Sequence, residues 1–78
     1  MNSRFRVGDI VRIAKNSRYY GVNKGDHNPP DTNGRILDID SSGWTLLPIN
    51  VTWYDTGDYL SSNDAFYGEN DLRLVRRQ

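Results

Sequence analysis

Ile49-Asn50-Val51-Thr52-Trp53 is the stretch on which the fold of this chain turns. Ile49, Val51 and Trp53 fall on one side and Asn50 and Thr52 on the other, the two-residue period of a strand with one face buried. That period assigns Trp53 to the core. The β-forming residues extend back to Trp44, so a third strand is expected over Trp44 to Trp53. Pro48 lies inside it and cannot donate to a ladder, which predicts a bend or bulge at that point. Trp44 and Leu46 then face a different side from Ile49, Val51 and Trp53. For Trp44 two positions follow, exposed for contact with a partner or packed over one end of the domain.

Working outward, Ser41-Ser42-Gly43 makes the reversal before this strand, and Arg35 to Ile39 supplies a second strand with Ile36, Leu37 and Ile39 apolar. Asn33-Gly34 is the turn that precedes it. From Lys15 to Asn33 the chain holds glycines, Asn28-Pro29-Pro30 and almost no aliphatic residue, so a long first loop is expected there. Val7 to Ala14 reads as the first strand, with Val7, Val11 and Ile13 on the inner face, Phe5 extending it and Arg12 outside; Gly8-Asp9 suits a bulge. In the other direction Asp55-Thr56-Gly57-Asp58 is a turn, and Tyr59-Leu60 begins a short fourth strand. Ser61 to Glu69 is polar and is read as irregular, with room for one helical turn. Asn70-Asp71 leads into a last strand, Leu72 to Val75, followed by the charged tail 76–78. The reading is one all-β domain over residues 1–78, with five short strands.

Composition bounds what such a domain does. A chain of 78 residues buries only about 60% of its unfolded surface, so its core is small. It has no cysteine, which removes disulfides and thiolate metal sites and fits an intracellular, cytoplasmic setting. Neither a signal-peptide pattern nor an apolar run of membrane-spanning length is present, so no membrane partner is expected. Ten basic and ten acidic residues cancel. They are unevenly placed: residues 1–35 hold seven basic against three acidic, and residues 36–78 hold three against seven.

Catalytic chemistry finds few residues to work with. There is no cysteine, the single histidine, His27, has no serine or carboxylate arrangement, and no phosphate-binding glycine loop occurs. No enzyme activity and no cofactor are expected. Asp38-Ile39-Asp40-Ser41-Ser42-Gly43 imitates the start of a calcium loop, but Ile49 stands where the bidentate glutamate belongs, so it is read as a hairpin turn. His27 with Asp26 and Asp31 lies in a proline-broken loop and is read as solvated. No metal site is assigned.

Val7-Gly8-Asp9-Ile10-Val11-Arg12-Ile13, Gly34-Arg35-Ile36-Leu37-Asp38-Ile39, Val51-Thr52-Trp53-Tyr54-Asp55-Thr56-Gly57 and Asn70-Asp71-Leu72-Arg73-Leu74-Val75 together resemble the Src-homology-3-like superfamily, in the order found in Tudor, KOW and Mib-type domains. Free-standing barrels of this size also resemble accessory proteins of bacterial viruses. The resemblance implies a five-stranded Src-homology-3-like barrel with a long first loop and a short turn before the last strand. It implies no particular partner, because this fold serves many. In Tudor-like barrels the first and third loops lie at one end, which would bring Tyr19 and Tyr20 near Tyr54, Asp55, Asp58 and Tyr59 and make a cage for a cationic group. With Trp44 these residues form the expected surface for a protein partner. The alternative is nucleic acid, held on Arg4, Arg6, Arg12, Lys15, Arg18 and Lys24, joined by Arg73, Arg76 and Arg77 if the terminal strands are neighbours.

Overall fold

The computed structural model describes residues 4–21, 28–53 and 64–77. They form five strands: β1 (Ile10–Ile13), β2 (Gly34–Ile39), β3 (Ile49–Thr52), β4 (Asp64–Tyr67) and β5 (Leu72–Arg76). A 3-10 turn, Glu69–Asp71, precedes β5. The strands make one antiparallel sheet in the order β4-β3-β2-β1-β5, so each strand lies beside the next in sequence except β5, which returns to pair with β1. β4 and β5 are the two edges of this ladder. Among the described residues no helix is long and apolar enough to cross a membrane.

The inner face follows the two-residue period. Val11 and Ile13 of β1, Ile36 of β2, Ile49 and Val51 of β3, Tyr67 of β4 and Leu72 of β5 are buried in one cluster together with Phe5 and Trp53. Each such side chain contributes about 1.5–3 kcal/mol on burial, which is how nine of them hold so small a domain. Gly34 is required by this packing. A Cβ there would sit 2.6 Å from Val51 Cγ1 and overlap the Trp53 ring, so the tryptophan lies directly on the β2 backbone.

A hydroxyl relay fixes the same region. Trp53 Nε1 donates to the Tyr67 hydroxyl at 3.0 Å, and that hydroxyl donates to Asn28 Oδ1 at 2.7 Å. Trp53 and Tyr19 both meet the Tyr67 ring edge to face, with centroids 5.6 Å apart in each pair. Burial pushes the Tyr67 hydroxyl well above the ordinary tyrosine range. Asn28, itself buried, thereby ties the end of the long first loop to β4.

Several sequence expectations are corrected. Val7 is 56% exposed and lies outside the first strand, which starts at Ile10. The reason is a turn over Arg6–Asp9: Asp9 N–H donates to the Arg6 carbonyl and Gly8 takes a φ of 95°, open to glycine at little cost. Val11 and Ile13 are buried as the alternation predicts, whereas Val7 is not. Leu37 is exposed because the β2–β3 register shifts between Ile36 and Asp38, leaving it as the extra residue. The third strand covers only Ile49–Thr52; Trp44 to Pro48 belong to a loop. A fourth strand stands at Asp64–Tyr67, within the segment read as irregular. The proposed start of that strand at Tyr59-Leu60, and the Asp55 to Asp58 turn, lie outside the described residues. Arg76, assigned to the tail, is the last residue of β5.

Candidate functional site

Residues 40–48, between β2 and β3, are shaped by a series of short side-chain turns. Ser42 N–H donates to Asp40 Oδ1 (2.9 Å), Trp44 N–H to Ser42 Oγ (3.2 Å) and Leu47 N–H to Thr45 Oγ1 (3.1 Å). Serine, threonine and aspartate favour this two-residue pattern because their oxygens reach the backbone ahead of them. Asp40 N–H closes the base of the loop on the Pro48 carbonyl at 2.8 Å, and Gly43, with a φ of 84°, makes the reversal. The bonds from Ser42 hold the Asp40 carboxyl below its ordinary range, so it is ionised at neutral pH.

This loop faces the 3-10 turn across a groove of about 970 Å³. Its floor is core, Phe5, Ile39 and Ile49; Leu46 and Pro48 line one wall and Glu69 and Asn70 the other. Arg6 and Asp40 stand in the lining as charged groups. Trp44 and Leu46 are each 92% exposed, the two most exposed large apolar side chains among the described residues. Loops normally turn such side chains inward or lack them, which makes an outward tryptophan and leucine two residues apart beside a groove the candidate contact surface.

The wall opposite is held by side-chain hydrogen bonds. Gly68 N–H donates to Asp71 Oδ2 (3.0 Å), and Asp71 Oδ1 accepts Ser17 Oγ–H (2.8 Å), fastening the 3-10 turn to the start of the first loop. Arg4 N–H reaches Glu69 Oε1 at 3.0 Å. Behind it Asp9, only 2% exposed, accepts the Arg6 N–H and pairs with Arg77 Nη1, both at 2.9 Å. The segment before β1 is therefore held by the end of the chain.

The sequence-derived candidates divide. Trp44 lies on the loop beside the groove and points to solvent, outside the groove's lining. Tyr19 and Tyr20 are half-buried and pack against the core: Tyr19 on Tyr67, Tyr20 with its hydroxyl donating to the Asp31 carboxylate at 3.0 Å, which raises the tyrosine's pKa. Tyr54, Asp55, Asp58 and Tyr59, the other half of the expected cage, lie outside the described residues, as do Lys24, Asp26 and His27. Of the basic set, Arg4 and Arg77 are engaged with Glu69 and Asp9. Arg18 lies over the Tyr19 ring, and Lys15 is exposed in the turn after β1. Arg12 and Arg73 are direct partners across β1 and β5, and Arg76 stands opposite Ile10.

Leu46, Arg35 and the acidic and polar groove wall were missed by sequence reading. Leu46 had a signal, since it shares Trp44's side of Pro48; Arg35 needed the strand register. Among the described residues no three His, Asp or Glu side chains gather as metal ligands would. No protein-family model, curated protein or solved structure matches this chain.

Proposed function

We propose that this chain is a non-enzymatic binding module that seats a segment of a protein partner in the groove between residues 40–48 and the Glu69–Asp71 turn. The observation that carries this reading is the pair Trp44 and Leu46, each 92% exposed on a loop held in shape by its own hydrogen bonds. Presenting apolar contacts on a pre-shaped loop lowers the ordering cost of association. The chemistry of the rim selects the partner: an apolar side chain for Trp44 and Leu46, with a neighbouring lysine or arginine directed to the ionised Asp40. Tyr19 and Tyr20 act in this scheme as supports for the first loop.

The finer fold assignment belongs with this proposal. The return of β5 to pair with β1 and the short turn before β5 support the Src-homology-3-like reading, although β4 and β5 are not paired with each other in the sheet. The lack of cysteine fits a cytoplasmic setting.

The test is selection of peptides from a random display library on the immobilised protein, followed by titration of the selected peptides against the Trp44→Ala and Leu46→Ala variants. Apolar and basic peptides whose affinity drops at least about tenfold with either substitution support the groove. Selected peptides that bind both variants as well as the unaltered protein refute it.

A further inference from the structure

The solvent face of the sheet carries an unusual arrangement of charge. Residues paired across a ladder share a face, so the register gives its composition directly. One row runs Asp64, Thr52, Arg35, Ile10, Arg76 across all five strands, with Ile10 itself buried between the two arginines. Arg12 and Arg73 face each other in the neighbouring row, two residues along β1 from Ile10. Phe66, half-exposed, stands on the same face two residues from Asp64. Four arginines therefore occupy three adjacent strands, within about 10 Å across the strands and about 7 Å along them.

None of the four forms an ion pair with another described residue. Arg12 Nε donates to Asn33 Oδ1 at 2.7 Å, a neutral acceptor that orients the side chain and leaves its charge uncompensated. Like charges directly opposite in a sheet are destabilising, so Arg12 against Arg73 costs stability in the free protein. A bound anion removes that cost. The chain's net neutrality is a sum over all of its residues and does not describe this patch.

We infer that this face binds single-stranded nucleic acid, with Arg12, Arg35, Arg73 and Arg76 on successive phosphates and Phe66 as a stacking platform for a base. All four cations are arginine, whose planar fork takes phosphate oxygens two at a time. A broad strand face with an exposed aromatic ring suits splayed bases, whereas reading a duplex groove calls for an inserted helix or ribbon. The site is separate from the groove, in whose lining Arg6 is the only arginine among the described residues.

Fluorescence anisotropy with a labelled oligothymidylate of roughly 20 nucleotides tests this at two salt concentrations, about 50 and about 200 mM. Four neutralised phosphates predict a single-strand slope of about −2.8 in log affinity against log salt, a loss of about 50-fold over that range. The Arg35→Gln, Arg73→Gln double variant should halve the slope, and Phe66→Ala should weaken binding about fivefold or more. Both changes are at exposed positions, and far-UV circular dichroism verifies the fold. The salt slope of the unaltered protein needs no variant. Absent binding at low salt, binding indifferent to salt, equal affinity for a duplex of the same length, or loss of binding in Trp44→Ala with none in the arginine variant would each overturn the assignment.

Discussion

Replacing Tyr67 by phenylalanine deletes one oxygen from the centre of the molecule and leaves the ring where it is. The edge-to-face contacts with Tyr19 and Trp53 depend on the ring, so they persist and no cavity opens. Lost are the 3.0 Å bond from Trp53 Nε1 and the 2.7 Å bond to Asn28 Oδ1. Each bond contributes about 1 kcal/mol net, and leaving the buried Asn28 oxygen without that donor adds about 1 to 2 kcal/mol more. The expected loss is thus about 3 kcal/mol, which in a chain of this size lowers Tm by roughly 12–24 °C. Thermal and urea unfolding followed by circular dichroism measure it. A double-mutant cycle with Asn28→Ala isolates the shorter bond, with a coupling of about 1 kcal/mol expected. A Tyr67→Phe variant within about 0.5 kcal/mol of the parent, or additive effects in the cycle, would refute the claim that this relay ties the first loop to β4.

Alkaline pH tests the same hydroxyl by another route. Its folded pKa is raised above the ordinary 10.0, so the unfolded chain releases the proton first; stability is full below 10.0 and falls as pH rises beyond it. Tyr67→Phe should show a shallower decline of Tm over that range, measured by thermal scans from neutral to alkaline pH. Gly34→Ala forces a methyl against Val51 and Trp53, both fully buried, and should cost about 1–3 kcal/mol or more in urea unfolding. Asp9→Ala removes the acceptor shared by Arg6 N–H and Arg77 and should destabilise by about 2 kcal/mol, with hydrogen exchange quickening in the segment before β1.

The central strands were legible in the sequence because burial leaves a period. Ile49, Val51 and Trp53 alternate against polar neighbours, and all three are fully buried. Val11, Ile13 and Leu72 follow the same logic. β4 was not legible: its inner residues are Ala65 and Tyr67, and its outer ones are Asp64 and Phe66, so the apolar residues fall on both faces. Trp44 to Leu47 carry strand-forming residues, yet serine and threonine side chains capture the backbone there and the ladder begins only after Pro48. Trp44 was recognised as a candidate, whereas the groove beside it was not, because its walls come from residues 5–6, 39–49 and 69–70. Arg35 and Arg76 meet on either side of Ile10 through long-range register, including a bulge between Ile10 and Val11 that no local pattern encodes. Arg77 read as part of a charged tail, and it is the partner of a buried carboxylate.

The groove reading is tested most directly by the tryptophan signal of the protein itself. Trp53 is fully buried and Trp44 is 92% exposed, so quenching by iodide reports Trp44. Saturation with a display-selected peptide should shield Trp44 from iodide and shift its emission to shorter wavelength, with amide shifts in a two-dimensional NMR spectrum concentrated in residues 40–48 and 69–70. Peptide binding that leaves Trp44 as open to iodide as before, with shifts placed elsewhere, would contradict the account.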